Sequence, residues 1–280
     1  MVSGFSPHIK TSQIKKTTNT TEDGLKLLYE GENPQVDIIA VHGLGGHREK
    51  SWTTESGVSW LKNLLPVDLP DMRVHTWGYA SMYTDEPETP QDTSERLVSE
   101  LFAMRKMTGK QTLSRPLIFI AHSFGGNIVK SALLYSYNSN EDRTLCLRNI
   151  SLSTQGVIFM GTPELDSRLT GLQTFMENNP RVKSKSSNAQ SEARWMLDTL
   201  QNYSTISTKF KSLYAYESFN GPPQVTQPMS QRLTPSLMVD ATHENMIKFE
   251  SSLDESYIKI KESIDEIIHS VKESGLKEKT

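Results

Sequence analysis

Short runs of apolar residues recur along the chain and alternate with longer segments of helical periodicity. Most of these runs are almost continuously apolar, which is typical of parallel strands covered on both faces of a sheet. We predict strands at residues 25–30, 36–42, 72–79, 117–122, 156–161, 212–217 and 236–240. Helical patterns fall between and after them, at 58–65, 93–107, 126–137, 195–203 and 251–274. This alternation predicts an α/β domain with a mainly parallel central sheet flanked by helices.

Three stretches of the chain add to this pattern. The first 20 residues are polar, and we expect residues 1–20 to be a flexible segment that precedes a single domain at 21–280. Residues 162–211 interrupt the alternation between two strands, where a cap or lid insert is expected. The C-terminal pattern predicts a helix that packs on the sheet. Its apolar stripe consists of Leu253, Tyr257, Ile260, Ile264, Ile267, Ile268 and Val271.

Composition and charge narrow the classes of function. The 30 basic and 33 acidic residues give a net charge of -3, and no basic run is interleaved with aromatic residues, so nucleic acid is not an expected partner. Cys146 is the one cysteine, which excludes an internal disulfide and favours a reducing, cytoplasmic location. We interpret Cys146 as a small buried apolar side chain. No apolar run is long enough for a transmembrane segment, and the pattern leaves the oligomeric state open.

The segment PLIFIAHSFGGNIVKSALLYS, residues 116–136, places a serine between a strand and a helix. The pattern G-x-S-x-G describes a tight turn that raises a nucleophilic serine above a sheet, and it needs small residues because the turn crowds the backbone. Ala121 stands at the first glycine position and Gly125 at the last. The helix that follows directs its partially positive N-terminus at the serine. We therefore predict that Ser123 is a nucleophile.

A second glycine-rich turn, His42 to Gly46 (HGLGG), follows an earlier strand. In α/β-hydrolases a loop of this kind supplies one backbone N–H to the oxyanion hole, and the residue after the nucleophile supplies the other. We expect Leu44 and Phe124 to be these donors. The turn lacks the lysine and the spacing of a nucleotide-binding loop, so a phosphate site is not indicated. The residues that we assign to substrate binding are Gly43, His122 and Trp195.

The general base and the acid should follow the serine along the chain. Of the seven histidines, His243 and His269 do so. His269 lies inside the predicted C-terminal helix, whereas His243 comes just after the last strand, so we predict His243 as the base. Glu217 ends the preceding strand and is the first candidate for the acid that orients the imidazole. The alternatives, also near strand ends, are Glu164, Asp166 and Asp240.

Five segments together resemble a fungal lipase/esterase-like serine hydrolase domain, of the type that precedes NACHT modules and is similar to GPI inositol-deacylase-like lipases. The segments are LKLLYEGENPQVDIIAVHGLGGHREKSWT, LLPVDLPDMRVHTWGYAS, LIFIAHSFGGNIVKSAL, VIFMGTPELDS and THENMIKFES. The resemblance spans residues 24–260. It implies an α/β-hydrolase fold with Ser123, Glu217 and His243 at the positions of the family's nucleophile, acid and base. The chain departs from the family at residues 164–166, where two acids and a leucine replace a basic pair and a glycine.

These features predict a serine hydrolase that cleaves a carboxylic ester through an acyl-enzyme. The expected partner is a small-molecule or lipid-like ester, and the chemistry requires no metal ion or organic cofactor. The departure at residues 164–166 motivates an alternative, because fold alone does not determine the reaction. The alternative is a biosynthetic enzyme of the same fold that carries out acyl transfer, cyclisation or C–C cleavage.

Overall fold

The fold is taken from a computed structural model, which describes residues 23–79, 88–139, 145–164, 186–218 and 235–277. One seven-stranded sheet crosses these ranges in the order β1-β3-β2-β4-β5-β6-β7. The strands are β1 (Gly24–Glu30), β2 (Val36–Val41), β3 (Met72–Gly78), β4 (Leu117–His122), β5 (Thr154–Met160), β6 (Lys211–Glu217) and β7 (Ser236–Val239). β1 pairs antiparallel with β3, and all other pairs are parallel. The predicted α/β class, with its mainly parallel central sheet, is confirmed.

Helices cover both faces of the sheet. Within the described ranges they are α1 (Trp60–Asn63), α2 (Leu65–Asp68), α3 (Pro90–Met107), α4 (Lys110–Leu113), α5 (Phe124–Asn138), α6 (Arg148–Ser153), α7 (Ser186–Tyr203) and α8 (Glu255–Lys277). Apolar residues of α3, α5, α6 and α7 pack in one cluster, and those of α1, α2 and α8 pack in another. Part of the C-terminal apolar stripe is buried in the second cluster. These residues are Tyr257, Ile260, Ile264 and Ile267.

Burial on both faces explains why the strands read as continuous apolar runs. In β2, Ile39 and Val41 belong to the cluster of α3 and α5, whereas Ile38 and Ala40 belong to the cluster of α8. Each fully buried aliphatic side chain contributes about 1.5–3 kcal/mol relative to exposure. Neighbouring residues of one strand therefore pack against helices on opposite faces of the sheet.

The helix predicted at residues 58–65 is instead two short helices, α1 and α2. Pro66 lies in the first turn of α2. Its ring has no N–H and clashes with the carbonyl four residues earlier, so one continuous helix cannot run through it. Proline is tolerated in a first turn, and the chain restarts there.

Two side chains that were predicted to be buried are exposed. Leu253 is 83% exposed, because Asp254 accepts hydrogen bonds from two backbone N–H groups of the first turn and thereby starts α8 after Leu253. Cys146 is exposed as well. It lies in a 3₁₀ turn that leads into α6, where Ile150 takes the buried position. The interpretation of Cys146 as a buried side chain is therefore wrong.

Two predicted segments fall outside the described residues, the flexible segment at 1–20 and positions 165–185 of the insert. The described remainder of the insert includes α7, which packs on α5. No helix in the described part of the chain is long and apolar enough to cross a membrane. The cytoplasmic location stays a prediction.

A buried carboxylate joins several elements at the edge of the sheet opposite Ser123. Asp37 of β2 accepts hydrogen bonds from Arg73 at 2.9 Å, from Arg105 at 3.0 Å and from Arg115 at 3.0 Å. Asp37 and Arg105 are fully buried. Loss of one partner in such a cluster leaves buried charge without compensation, which destabilises a protein strongly. Asp37 therefore links β2, β3, α3 and the segment before β4.

Replacing Asp37 with asparagine keeps the shape of the side chain but removes the charge that compensates three guanidinium groups. We expect Asp37→Asn to lower the free energy of unfolding by about 3–5 kcal/mol in urea denaturation. Glu30→Gln is the control, because Glu30 is half exposed and lies 3.7 Å from Arg73. Glu30→Gln should lower the free energy of unfolding by less than about 1 kcal/mol. Similar losses in the two variants would show that the buried cluster is not a major source of stability.

Candidate active site

Ser123 lies at the turn between β4 and α5 with a backbone φ of 52° and ψ of −129°. Among the described residues it is the one non-glycine residue with a positive φ. Such a conformation costs about 1–3 kcal/mol and persists where the surroundings enforce it. The Ser123 N–H donates to the Met160 carbonyl at 2.8 Å, and the Ser123 carbonyl accepts from the Gly126 N–H at 3.0 Å. Hydrogen bonds on both sides thus hold the strained turn.

Close packing explains the small residues around this turn. A Cβ atom on Gly125 would lie 2.3 Å from the carbonyl oxygen of His42, and one on Gly126 would lie 2.1 Å from the hydroxyl oxygen of Thr162. Neither position has room for a side chain. The first turn of α5 therefore packs directly against the chain that follows β2 and the chain that follows β5.

The structure brings Ser123, His243 and Glu217 together. The Ser123 hydroxyl lies 2.9 Å from Nε2 of His243, and Nδ1 of the same ring lies 3.2 Å from Oε1 of Glu217. A carboxylate only accepts, so Nδ1–H donates to Glu217 and Nε2 accepts from the Ser123 hydroxyl. An imidazole held in this tautomer can withdraw the proton of Ser123 while the oxygen attacks an electrophile.

Glu217 is the one described carboxylate candidate that contacts His243. Asp240 accepts from the Ser218 hydroxyl at 2.8 Å instead, and Asp166 lies outside the described residues. Burial favours the uncharged form of Glu217, but the hydrogen bond and the electrostatic attraction of His243 outweigh it and hold the pKa of Glu217 below its usual range. The carboxylate beside His243 is therefore ionised at neutral pH.

Glu164, another acid candidate, forms a buried ion pair with Lys130 of α5. The Lys130 ammonium also lies over three aromatic rings. Burial lowers the pKa of Lys130 and raises the pKa of Glu164, since it disfavours charge on both groups. Glu164 thus anchors the chain after β5 to α5 and does not contact His243. The rings around the ammonium are Phe159, Tyr203 and Tyr214.

The turn from His42 to Gly46 lies against Ser123. A Cβ atom on Gly43 would lie 2.8 Å from the Cβ atom of Ser123, so a larger residue would displace Ser123. Leu44 is partly buried against the core, and Phe124 is the first residue of α5. The segments that carry the backbone N–H groups of Leu44 and Phe124 therefore border Ser123 from two sides.

Sequence reasoning missed the pair of side chains that holds this turn. Nδ1–H of His42 donates to the Gly43 carbonyl at 2.8 Å, the Tyr79 hydroxyl donates to the His42 carbonyl at 3.0 Å, and the two rings stack at 4.5 Å. Burial lowers the pKa of His42 to about 4, so its ring is neutral near pH 7. Tyr79 follows directly after β3 at the same edge of the sheet, and that position could have indicated its role.

His122 and Trp195, which we assigned to substrate binding, occupy different surroundings. Nε2 of His122 donates to the backbone carbonyl of His243 at 2.8 Å. Trp195 of α7 lies 5.9 Å from the Phe124 ring and lines a cavity of about 700 Å³ along α3, α5 and α7. The described residues that line this cavity do not include Ser123.

No protein-family model matches the chain. Over 169 residues the chain is 27% identical to protein SERAC1 of Mus musculus, an alignment that covers 53% of this chain and 25% of that protein. Over 193 residues it is 26% identical to protein SERAC1 of Danio rerio, covering 56% of this chain and 28% of that protein. The chain thus spans about a quarter of the length of these curated relatives. The resemblance to a fungal domain that precedes NACHT modules stays a prediction.

Several solved structures have a similar fold. The NocB thioesterase domain from the nocardicin cluster has a TM-score of 0.46 and 13% identity, and the match covers 86% of this chain and 99% of that chain. A lipase-esterase related protein from Clostridium acetobutylicum has a TM-score of 0.43 and 11% identity, with 87% and 99% covered. MenH from S. aureus has a TM-score of 0.43 and 9% identity, with 88% and 98% covered. At these identities and TM-scores the matches give no information about the activity of this chain.

Three buried histidines predict a stability that decreases in acid. Burial is the main reason that the pKa values fall from an ordinary 6.5 to about 4 for His42 and His75 and to about 3 for His122. A histidine whose pKa is lower in the folded state takes up its proton on unfolding, so stability is lost as the pH falls from about 6.5 towards 4. Each histidine contributes up to about 1.4 kcal/mol per pH unit to this loss.

Urea denaturation at about pH 7 and about pH 5 should therefore show a clear decrease in the free energy of unfolding. His75→Leu should show a weaker pH dependence than the wild type. His269→Gln, which alters an exposed histidine of α8, is the control. A free energy of unfolding that is equal at the two pH values would refute this explanation.

Proposed function

We propose that this chain is a serine hydrolase that cleaves a carboxylic ester through an acyl-enzyme on Ser123. The observation that carries the proposal is the continuous hydrogen-bonded chain from Ser123 through His243 to Glu217, with distances of 2.9 and 3.2 Å. These groups come from the ends of β4 and β6 and from the turn after β7. Three separate elements thus converge on one serine hydroxyl, in the order that nucleophilic catalysis needs.

The reaction has two halves. In the first, Oγ of Ser123 attacks the carbonyl carbon while Nε2 of His243 takes its proton, and that proton then passes to the leaving alkoxide as the ester bond breaks. In the second, Nε2 takes a proton from water as the water oxygen attacks the acyl carbon. The proton returns to Oγ when the acyl bond breaks, and the carboxylic acid leaves.

Glu217 supports both halves by holding the Nδ1–H tautomer and by stabilising the imidazolium that forms on His243. Its lowered pKa keeps the carboxylate ionised for this purpose. We propose the backbone N–H groups of Leu44 and Phe124 as the donors to the oxyanion, each worth about 3 kcal/mol of the barrier. The close approach of Gly43 to Ser123 supports this assignment.

We propose a small-molecule or lipid-like ester as the substrate class. A nucleophile, a base and an oxyanion site are sufficient for this reaction, so it requires no metal ion or organic cofactor. The acids at residues 164–166 motivate the alternative function, which is acyl transfer, cyclisation or C–C cleavage. Glu164, the described acid of that departure, pairs with Lys130 and has no hydrogen bond to Ser123, Glu217 or His243.

A fluorophosphonate probe should label the wild-type protein at Ser123, and p-nitrophenyl esters of graded chain length should be hydrolysed. Ser123→Ala should lose the label and at least about 10³-fold in kcat, because the attacking oxygen is gone. Ser99→Ala removes an exposed hydroxyl of α3 and should behave as the wild type. Undiminished labelling of Ser123→Ala would exclude Ser123 as the nucleophile.

Glu217→Gln should lower kcat by about 10²- to 10⁴-fold, because a neutral amide neither fixes the tautomer nor stabilises the imidazolium. Asp240→Asn is the matched control, since Asp240 contacts Ser218 and not His243. Steady-state ester hydrolysis by purified variants measures both effects. If Glu217→Gln were active and Asp240→Asn inactive, the acid would be Asp240 and not Glu217.

A further inference from the structure

We propose that His122 is a positioning residue that fixes the backbone of His243 while the His243 ring transfers protons. This inference rests on the proposed function of Ser123 and His243. Nε2 of His122 lies 2.8 Å from the carbonyl oxygen of His243. A carbonyl only accepts, so His122 carries its proton on Nε2 and donates it. The residue before the nucleophile is thereby bonded to the main chain of the base.

His122 is suited to this place because its ring is neutral. The residue is 7% exposed, and burial, with a further contribution from nearby His243, lowers its pKa to about 3. The two imidazole rings are 4.8 Å apart. A cationic side chain at that distance would oppose the imidazolium that forms on His243 during the reaction. A neutral ring with one N–H holds the carbonyl without adding that repulsion.

On its other side, His122 borders the glycine-rich turn. A Cβ atom on Gly43 would lie 3.1 Å from Nδ1 of His122 and 2.8 Å from the Cβ atom of Ser123. The His122 ring thus lies between the turn after β2 and the turn after β7. The ring contacts the glycine-rich turn on one side and donates a hydrogen bond to His243 on the other. It thereby sets the distance between the proposed oxyanion donor and the base.

The His243 segment depends on such contacts because it contains no regular element. Residues 240–250 form bends and turns between β7 and α8. Nε1–H of Trp60 donates to the Ile247 carbonyl at 2.9 Å, which holds the segment four residues beyond His243, and His122 holds the carbonyl of His243 itself. A ring displaced by about 1 Å can lose about 10²-fold in rate. Loss of the His122 bond should therefore lower kcat.

Two variants at position 122 separate the hydrogen bond from the volume of the ring. His122→Gln can place an amide N–H where Nε2 stands, because both side chains carry that nitrogen three bonds beyond Cβ. His122→Met fills a similar volume without a donor. With the best ester of the wild type, His122→Gln should keep kcat within about 3-fold, and His122→Met should lose about 10- to 100-fold in kcat with little change in KM. His269→Gln, which alters an exposed histidine, is the control.

The outcomes distinguish positioning from substrate binding. Equal kcat values for the Gln and Met variants would overturn the proposal, as would a rise in KM at unchanged kcat, which is the result expected of a substrate contact. Wild-type protein that no fluorophosphonate labels at Ser123 would refute the proposed function itself. Normal labelling of the wild type together with an equally fast labelling of His122→Met would overturn the role of His122 alone.

Nitrogen-15 NMR of the histidine rings tests the geometry even where His122→Met fails to fold. In the wild type, His122 should be a neutral Nε2–H tautomer near about pH 7 with a slowly exchanging N–H proton. His122→Gln identifies the signal by its disappearance. An Nδ1–H tautomer, or a His122 ring that is protonated at about pH 5, would overturn the proposal.

Discussion

The strained backbone of Ser123 is the constraint on which the rest of the site depends. A positive φ at a serine is unfavourable by about 1–3 kcal/mol, so the surrounding structure has to enforce it. It does so through the hydrogen bond to Met160 and through contacts with Gly125 and Gly126 that exclude any side chain. The same contacts draw the ends of β2 and β5 onto the first turn of α5. Because β4 lies between β2 and β5, one local distortion organises three neighbouring strand ends.

The two edges of the sheet are stabilised in different ways. At the amino ends of the parallel strands, Asp37 and three arginines form a buried charged cluster that holds β2, β3 and α3. At the carboxyl ends, neutral side chains bond to backbone carbonyls, as His42, Tyr79 and His122 do. Neutral donors suit the edge at which charge would develop in the proposed reaction, because they add no net charge beside the imidazole. The charged group that contacts the imidazole at this edge is Glu217, whereas the Asp37 cluster lies at the opposite edge.

Much of this arrangement could be predicted from the sequence, and the exceptions have physical reasons. Strands covered on both faces read as apolar runs, and a serine between such a strand and a helix marks the turn at Ser123. The buried pair of Lys130 and Glu164 depends on which strand ends are neighbours, which a single sequence does not state, although a lysine within the apolar pattern of α5 was a usable signal. The exposure of Cys146 depends on a 3₁₀ turn that has too few residues to show periodicity.

The most direct test of the central claim is a crystal structure of the protein after reaction with a fluorophosphonate. Phosphorus should be bonded to Oγ of Ser123, with the phosphoryl oxygen within about 3.1 Å of the backbone nitrogens of Leu44 and Phe124, and with the imidazole of His243 still bonded to Glu217. Phosphorus on another residue, or a phosphoryl oxygen directed away from both nitrogens, would contradict the proposed site.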